Sequence, residues 1–154
     1  MKQALRFVLP VLLCIPSAAS PAQNQDTAVV NQFIAKQATQ EDGEEYEGAR
    51  KMITGDLNRD GVPDLAVLYT IEGQNGTNNY IQYLAAFIRR NGALVHVAHT
   101  AVGGKWNRDV DLQSIKNNVI HFKTLLHRAN DPASTPSRKE TARYVLRRRT
   151  LKEL

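Results

Sequence analysis

The sequence predicts an α+β fold, with an N-terminal helix packed on an antiparallel β-meander of about six or seven strands. Three observations carry this. Val29, Val30, Phe33, Ile34 and Ala38 repeat at helical spacing in one early segment. Beyond residue 50 the apolar residues instead alternate, or run continuously, over strand lengths. The joining segments are short and turn-prone, above all Asn91-Gly92 and Asn117-Asn118. At 154 residues and 42% apolar content, the chain has the size and material for one core.

The first 22 residues read as an export signal. Lys2 and Arg6 precede the apolar run Phe7 to Pro16, which gives way to small residues and a cleavage zone around Ser20-Pro21-Ala22. That run is about ten residues, too short for the roughly 20 that a membrane-spanning helix needs. Cys14 follows Leu13, where a lipoprotein signal wants a small residue, so a lipid anchor is not expected. The mature domain is then 23–154, periplasmic or secreted, with no transmembrane segment. It contains no cysteine, which excludes disulfides and thiolate chemistry.

Asp26 or Thr27 is placed to cap a helix over 28–39, and the acidic stretch 41–47 reads as a connection. Residues 50–54 lead into an Asp-rich loop at 56–64. A strand over 64–71 leaves it, with apolar residues on both faces, as for a strand covered on both sides. After a Gly/Asn-rich turn at 73–79, strands over 80–89 and 94–102 flank Asn91-Gly92 as a hairpin. Gly103 to Asn107 is a loop, and strands over 110–116 and 119–127 flank Asn117-Asn118. A proline-containing loop at 130–137 precedes a last strand over 141–149.

Charge is distributed unevenly. Residues 24–72 carry ten acidic and four basic side chains, and residues 89–154 carry fourteen basic and five acidic. The formal net charge of +5 falls to +3 when Lys2 and Arg6 leave. A basic half attracts anionic surfaces. No nucleic-acid-binding motif accompanies it, and no nucleic-acid partner is expected.

The chemistry is concentrated in Asp56-Leu57-Asn58-Arg59-Asp60-Gly61-Val62-Pro63-Asp64. A hard cation such as Ca2+ takes six to eight oxygens, which short carboxylate and amide side chains on alternate residues of a tight loop supply. Asp56, Asn58, Asp60 and Asp64 occupy positions one, three, five and nine, and the Val62 carbonyl falls at position seven. Gly61 at position six permits the turn, and Arg59 points outward. Three converging carboxylates would repel one another without a cation between them. The twelfth position is Val67, not the bidentate glutamate of an EF-hand, which sets the expected affinity at the weak end, on the order of 10⁻⁴ to 10⁻³ M.

The pattern Asp-x-Asn-x-Asp-Gly-x-x-Asp followed by Leu65 resembles the strand-loop-strand calcium loops of FG-GAP and integrin-type propeller repeats, over roughly residues 53–68. The chain is too short, with one loop only, for a propeller. Gly55 to Glu72, together with Asn78-Asn79-Tyr80, Gln82 to Ala85, Val97-Ala98-His99 and Val102-Gly103-Gly104, is similar to a group of small exported proteobacterial proteins. That resemblance implies a compartment and no activity.

Other chemistry-bearing residues form weaker patterns. His96 and His99 should face opposite sides of a strand, and His121 and His127 lie roughly 20 Å apart along one, so no histidine metal site is expected. Ser114, Ser134 and Ser137 lack a nucleophile motif. Asp109 and Asp111 share a strand face about 7 Å apart, a spacing compatible with glycoside hydrolysis but common on strands. Trp106 is either an exposed binding aromatic or a lid on the core. The expected function is an exported calcium-binding, non-catalytic binding module of the cell envelope, with an envelope or extracellular partner. The alternative is a small envelope-polymer hydrolase with a structural calcium.

Overall fold

The computed structural model describes residues 21–132 and 135–154, with side chains from Asn24 onward. The expected leader lies outside the described residues, apart from the backbone at 21–22, and so does Ser134. The described chain contains one α-helix and nine antiparallel strands. The α+β class stands, while the strand count exceeds the six or seven expected.

Helix α1 (Pro21–Gln40) covers the expected 28–39 and begins earlier. Asp26 and Thr27 therefore lie inside it. The Asp26 carboxylate takes two hydrogen bonds from the Arg89 guanidinium, at 2.6 and 3.1 Å. Val30, Ile34 and Ala38, four residues apart, form the buried stripe. Burying side chains of the Val and Ile class contributes about 1.5–3 kcal/mol each, which holds a helix whose own sequence is mostly polar.

The strands are β1 (Glu44–Glu45), β2 (Lys51–Gly55), β3 (Asp64–Glu72), β4 (Tyr80–Arg90), β5 (Ala93–Gly104), β6 (Arg108–Lys116), β7 (Val119–Leu126), β8 (Arg138–Arg147) and β9 (Thr150–Glu153). Their order is β1-β3-β4-β5-β6-β7-β8-β9, and β2 also pairs with β3. The β5–β6 junction consists of the single pair Gly104↔Arg108. There the sheet folds into two halves that pack face to face. Ala66, Leu68, Leu84, Ala86 and Val102 of one half meet Val110, Leu112, Ile120, Phe122 and Tyr144 of the other. Gly55 lies at this contact, where an added Cβ would sit 2.6 Å from Ile115 Cβ.

The opposite face of β3–β5 carries the helix. Leu65, Val67, Tyr69, Ile71, Tyr83, Ala85, Phe87 and Leu94 pack against Val30, Ile34 and Ala38. β3 is thus buried on both faces, and this accounts for its continuous apolar run. Both expected hairpins form, with positive φ at Asn91 and Gly92 and at Asn117 and Asn118, the backbone that two-residue turns of this type need.

Three local expectations are corrected. The acidic connection contains β1, which pairs Glu44 and Glu45 with Glu72 and Ile71. The expected last strand over 141–149 ends at Arg147, turns at Arg148-Arg149 with Arg148 at φ 58, and is followed by a further strand, β9. His96 and His99 face the same side: Phe87 pairs with His96 and Ala86 with Ala98, leaving Val97 as a bulge that resets the alternation. Among the described residues no helix is long and apolar enough to cross a membrane.

Candidate functional site

The loop between β2 and β3 is shaped by its own side chains. Asp56 Oδ1 accepts from the backbone N–H of Asn58 (3.2 Å) and Arg59 (2.6 Å), and Oδ2 accepts from Gly61 (3.0 Å). Asn58 Oδ1 accepts from Asp60 N–H at 2.9 Å, and Asp60 Oδ1 accepts from Val62 N–H at 2.8 Å. Asn58 Nδ2 donates to Asp60 Oδ2 at 2.7 Å. Each short side chain satisfies an amide two to five residues ahead, for which Asp and Asn are the favoured residue types. Gly61 has φ +80 with nothing within 4 Å of an added Cβ, so backbone conformation rather than space requires glycine.

Asp56 feels two opposed influences. Desolvation raises its pKa, but the N–H groups of Gly61, Arg59, Asp60 and Asn58 outweigh it and hold the carboxyl below its ordinary value. A full negative charge therefore sits at the head of the loop at neutral pH.

Asp64 has a different place. It is fully buried, with Oδ2 accepting from Leu57 N–H and Oδ1 from Arg89 N–H, both at 2.9 Å. It ties the loop entry to the edge of β4. On the far side, Asn118 Nδ2 donates to the Asp56 carbonyl at 2.8 Å, and Arg59 Nε donates to Asn118 Oδ1 at 2.8 Å. The loop is thereby tied to β4 in one half of the fold and to the β6–β7 turn in the other. Sequence reasoning missed both ties, because each joins residues 25 or more apart.

Against a calcium ion the five expected ligands divide. Asp56, Asn58, Asp60 and Val62 come together in one turn, whereas Asp64 is turned into the protein and engaged at both oxygens. Among the described residues no group of three or more His, Cys, Asp or Glu side chains is gathered as an ion cage, so the expected convergence of three carboxylates is absent. The donor chemistry still suits a hard cation. A carboxylate oxygen that accepts one N–H keeps a second acceptor direction, and Asp56, Asp60, the Asn58 amide oxygen and the Val62 carbonyl are all oxygen donors.

The remaining candidates separate cleanly. Asp109 accepts from the Tyr80 hydroxyl at 2.7 Å; burial first, and then this bond, push the tyrosine up to about 12. Asp111 pairs with Lys51 and accepts from Gln113 Nε2. Each acid thus has its own structural partner. Ser137 Oγ donates to Asp131, whose carboxylate also takes the N–H groups of Arg128 and Ser137 and closes the 128–137 loop. Trp106 is 71% exposed in the β5–β6 turn at φ 68, so it is not a lid on the core.

The His96 and His99 rings both lie against Phe33 of the helix, with their centroids 5.4 Å apart and His99 exposed. The His96 ring stacks on Phe33 at 4.0 Å. Burial, followed by the neighbouring His99, pushes the His96 pKa down to about 4.

The chain matches no family model, no curated protein and no solved structure.

Proposed function

We propose that this chain is an exported calcium-binding, non-catalytic binding module of the cell envelope, in which the loop at 56–64 holds the ion and a surface elsewhere meets the partner. One observation carries the reading. The side-chain oxygens of Asp56, Asn58 and Asp60 lie with the Val62 backbone in a single turn that is tied through Asp64 to β4 and through Asn118 to the β6–β7 turn. An ion in that turn stiffens the end of the domain opposite the β5–β6 junction, where the loop bridges the two halves of the sheet. Asp56, Asn58, Asp60 and Val62 would hold it, with Asp64 bracing the loop from below; water would complete the shell.

The partner surface in this reading is the outer face of β6–β9. Lys116, Lys123, Lys139, Arg143, Arg147 and Lys152 are all exposed there, and the strand pairing aligns them with outward-facing Asp111, Thr141 and Val145. Such a face attracts anionic envelope surfaces by summed charge, with strong dependence on salt. The test is binding of the exported protein to envelope material with calcium and with chelator. The reading expects retention that calcium strengthens and salt removes; retention indifferent to both contradicts it.

A further inference from the structure

Beside the loop, on the side away from Asp64, lies a notch of about 320 Å³ lined by Leu57, Asn58, Arg59, Asn117, Val119 and Arg147, among others. Its walls come from three separate turns: the loop itself, Asn117-Asn118 between β6 and β7, and the end of β8 before Arg148-Arg149. Two guanidinium groups flank an apolar floor, on which Val119 and Val145 are directly paired across β7 and β8. We propose that this notch binds a small oxyanion-bearing molecule, a carboxylate or phosphate carried on a body no larger than a monosaccharide.

The first argument is placement. Arg59 sits in the left-handed region at φ 69, and its Nε donates to Asn118 Oδ1 at 2.8 Å. Asn118 is itself fixed by donating to the Asp56 carbonyl. The Arg59 guanidinium is thus oriented through one edge, and its Nη groups have no hydrogen bond or ion pair among the described residues. The Arg147 guanidinium likewise has no ion pair among the described residues, although no side-chain contact orients it. A fixed guanidinium with free Nη donors is the group that recognises planar oxyanions in a two-pronged manner, and preorganisation reduces the entropy lost on binding.

The second argument is the balance of charge. The acids of the adjoining loop, Asp56 and Asp60, are directed into the loop, where amide N–H groups and the Asn58 side chain occupy them. The other arginines that carry ion pairs are committed elsewhere: Arg50 to Glu45, Arg89 to Asp26, Arg108 to Glu153 and Arg138 to Glu140. Arg59 and Arg147 have no comparable acid. Ligand sites usually run from roughly 300 to 1,000 Å³, so this one takes a ligand of the smallest class, its apolar floor meeting the C–H face and the two arginines the charged group.

The proposal does not depend on a bound cation, and all titrations are therefore run in chelator. Isotope-labelled protein is titrated separately with glucuronate, with inorganic phosphate and with neutral glucose, and the amide signals of Asn58, Asn117 and Asn118 are followed. The expected result is saturable movement of these signals with at least one of the two anions and none with glucose. The responding anion identifies the source of the oxyanion. Arg59→Asn, which tolerates the left-handed backbone, and Arg147→Gln should each weaken binding by about tenfold or more, while Lys36→Ala, exposed on the helix, should leave it unchanged. Both arginines are exposed, and a dispersed amide spectrum verifies folding of each variant. Absence of movement with both anions overturns the proposal. So does equal weakening by Lys36→Ala, which would assign the response to diffuse charge.

Discussion

The Asp64 carboxylate reaches the backbone N–H of Arg89 at 2.9 Å across the β3–β4 ladder, and its second oxygen takes Leu57 N–H at the same distance. This fully buried acid is thus a brace between loop and sheet. Asp64→Ala leaves two N–H groups without acceptors and should cost about 2–4 kcal/mol, read by urea unfolding in chelator. A cost below about 0.5 kcal/mol would mean that those bonds are replaced or absent.

Asp60 should behave in the opposite way. It is exposed, and its acceptors serve only the loop itself. Asp60→Ala should change stability in chelator by less than about 1 kcal/mol, since the lost turn bond is offset by relief of repulsion from Asp56. The contrast between the two aspartates, measured under identical conditions, separates the brace from the proposed ion ligand.

The half-buried imidazole of His96 gives a pH signature. Its folded value of about 4 lies below the ordinary 6.5, so the folded protein binds fewer protons than the unfolded chain between those limits. Stability should be complete above pH 6.5 and fall progressively toward pH 4. Phe33 and Phe87 face the ring, and His99 and Arg149 add positive charge that opposes protonation. His96→Phe should flatten this part of the pH profile, as measured by thermal melts at pH 7, 5.5 and 4.5. An unchanged slope would assign it to other groups.

A second pH component comes from the far end of the sheet. Arg108 donates to both oxygens of Glu153, at 2.7 and 2.8 Å, and also reaches the Tyr144 hydroxyl. The arginine bond holds the Glu153 carboxyl below its ordinary 4.5. A depressed carboxyl contributes stability that is present above 4.5 and lost as pH falls through the lower folded value. Glu153→Gln should cost about 1 kcal/mol at pH 7, a figure reduced for solvent screening because the Glu153 side chain is 43% exposed. The cost should shrink below pH 4 in urea melts.

What could be read from the sequence was what short-range chemistry determines. Asn91-Gly92 and Asn117-Asn118 were legible because both turns require positive φ at residues that accept it. The Asp-Asn-Asp-Gly run was legible because its hydrogen bonds close within five residues. The Arg148-Arg149 turn carries no such residue and reads in sequence as the end of a strand over 141–149. The bulge at Val97 has no side-chain marker, so strict alternation puts His96 and His99 on opposite faces. The Asp64 role depends on Arg89, 25 positions away, through a register that only the assembled sheet defines.

Calcium should stabilise the folded chain by mass action. With a dissociation constant near ~0.1 mM, ~1 mM calcium adds about 1.4 kcal/mol and raises the melting temperature by several degrees. Equal melting curves in calcium and chelator would contradict this.

Calorimetric titration of calcium into the wild-type chain, Asp60→Ala and His121→Ala tests the central claim most directly. The account predicts binding on the order of 10⁻⁴ to 10⁻³ M for the wild type, the same for His121→Ala, which lies on β7, and none for Asp60→Ala. Calcium binding that survives Asp60→Ala undiminished, or no binding by the wild type at millimolar calcium, would contradict it.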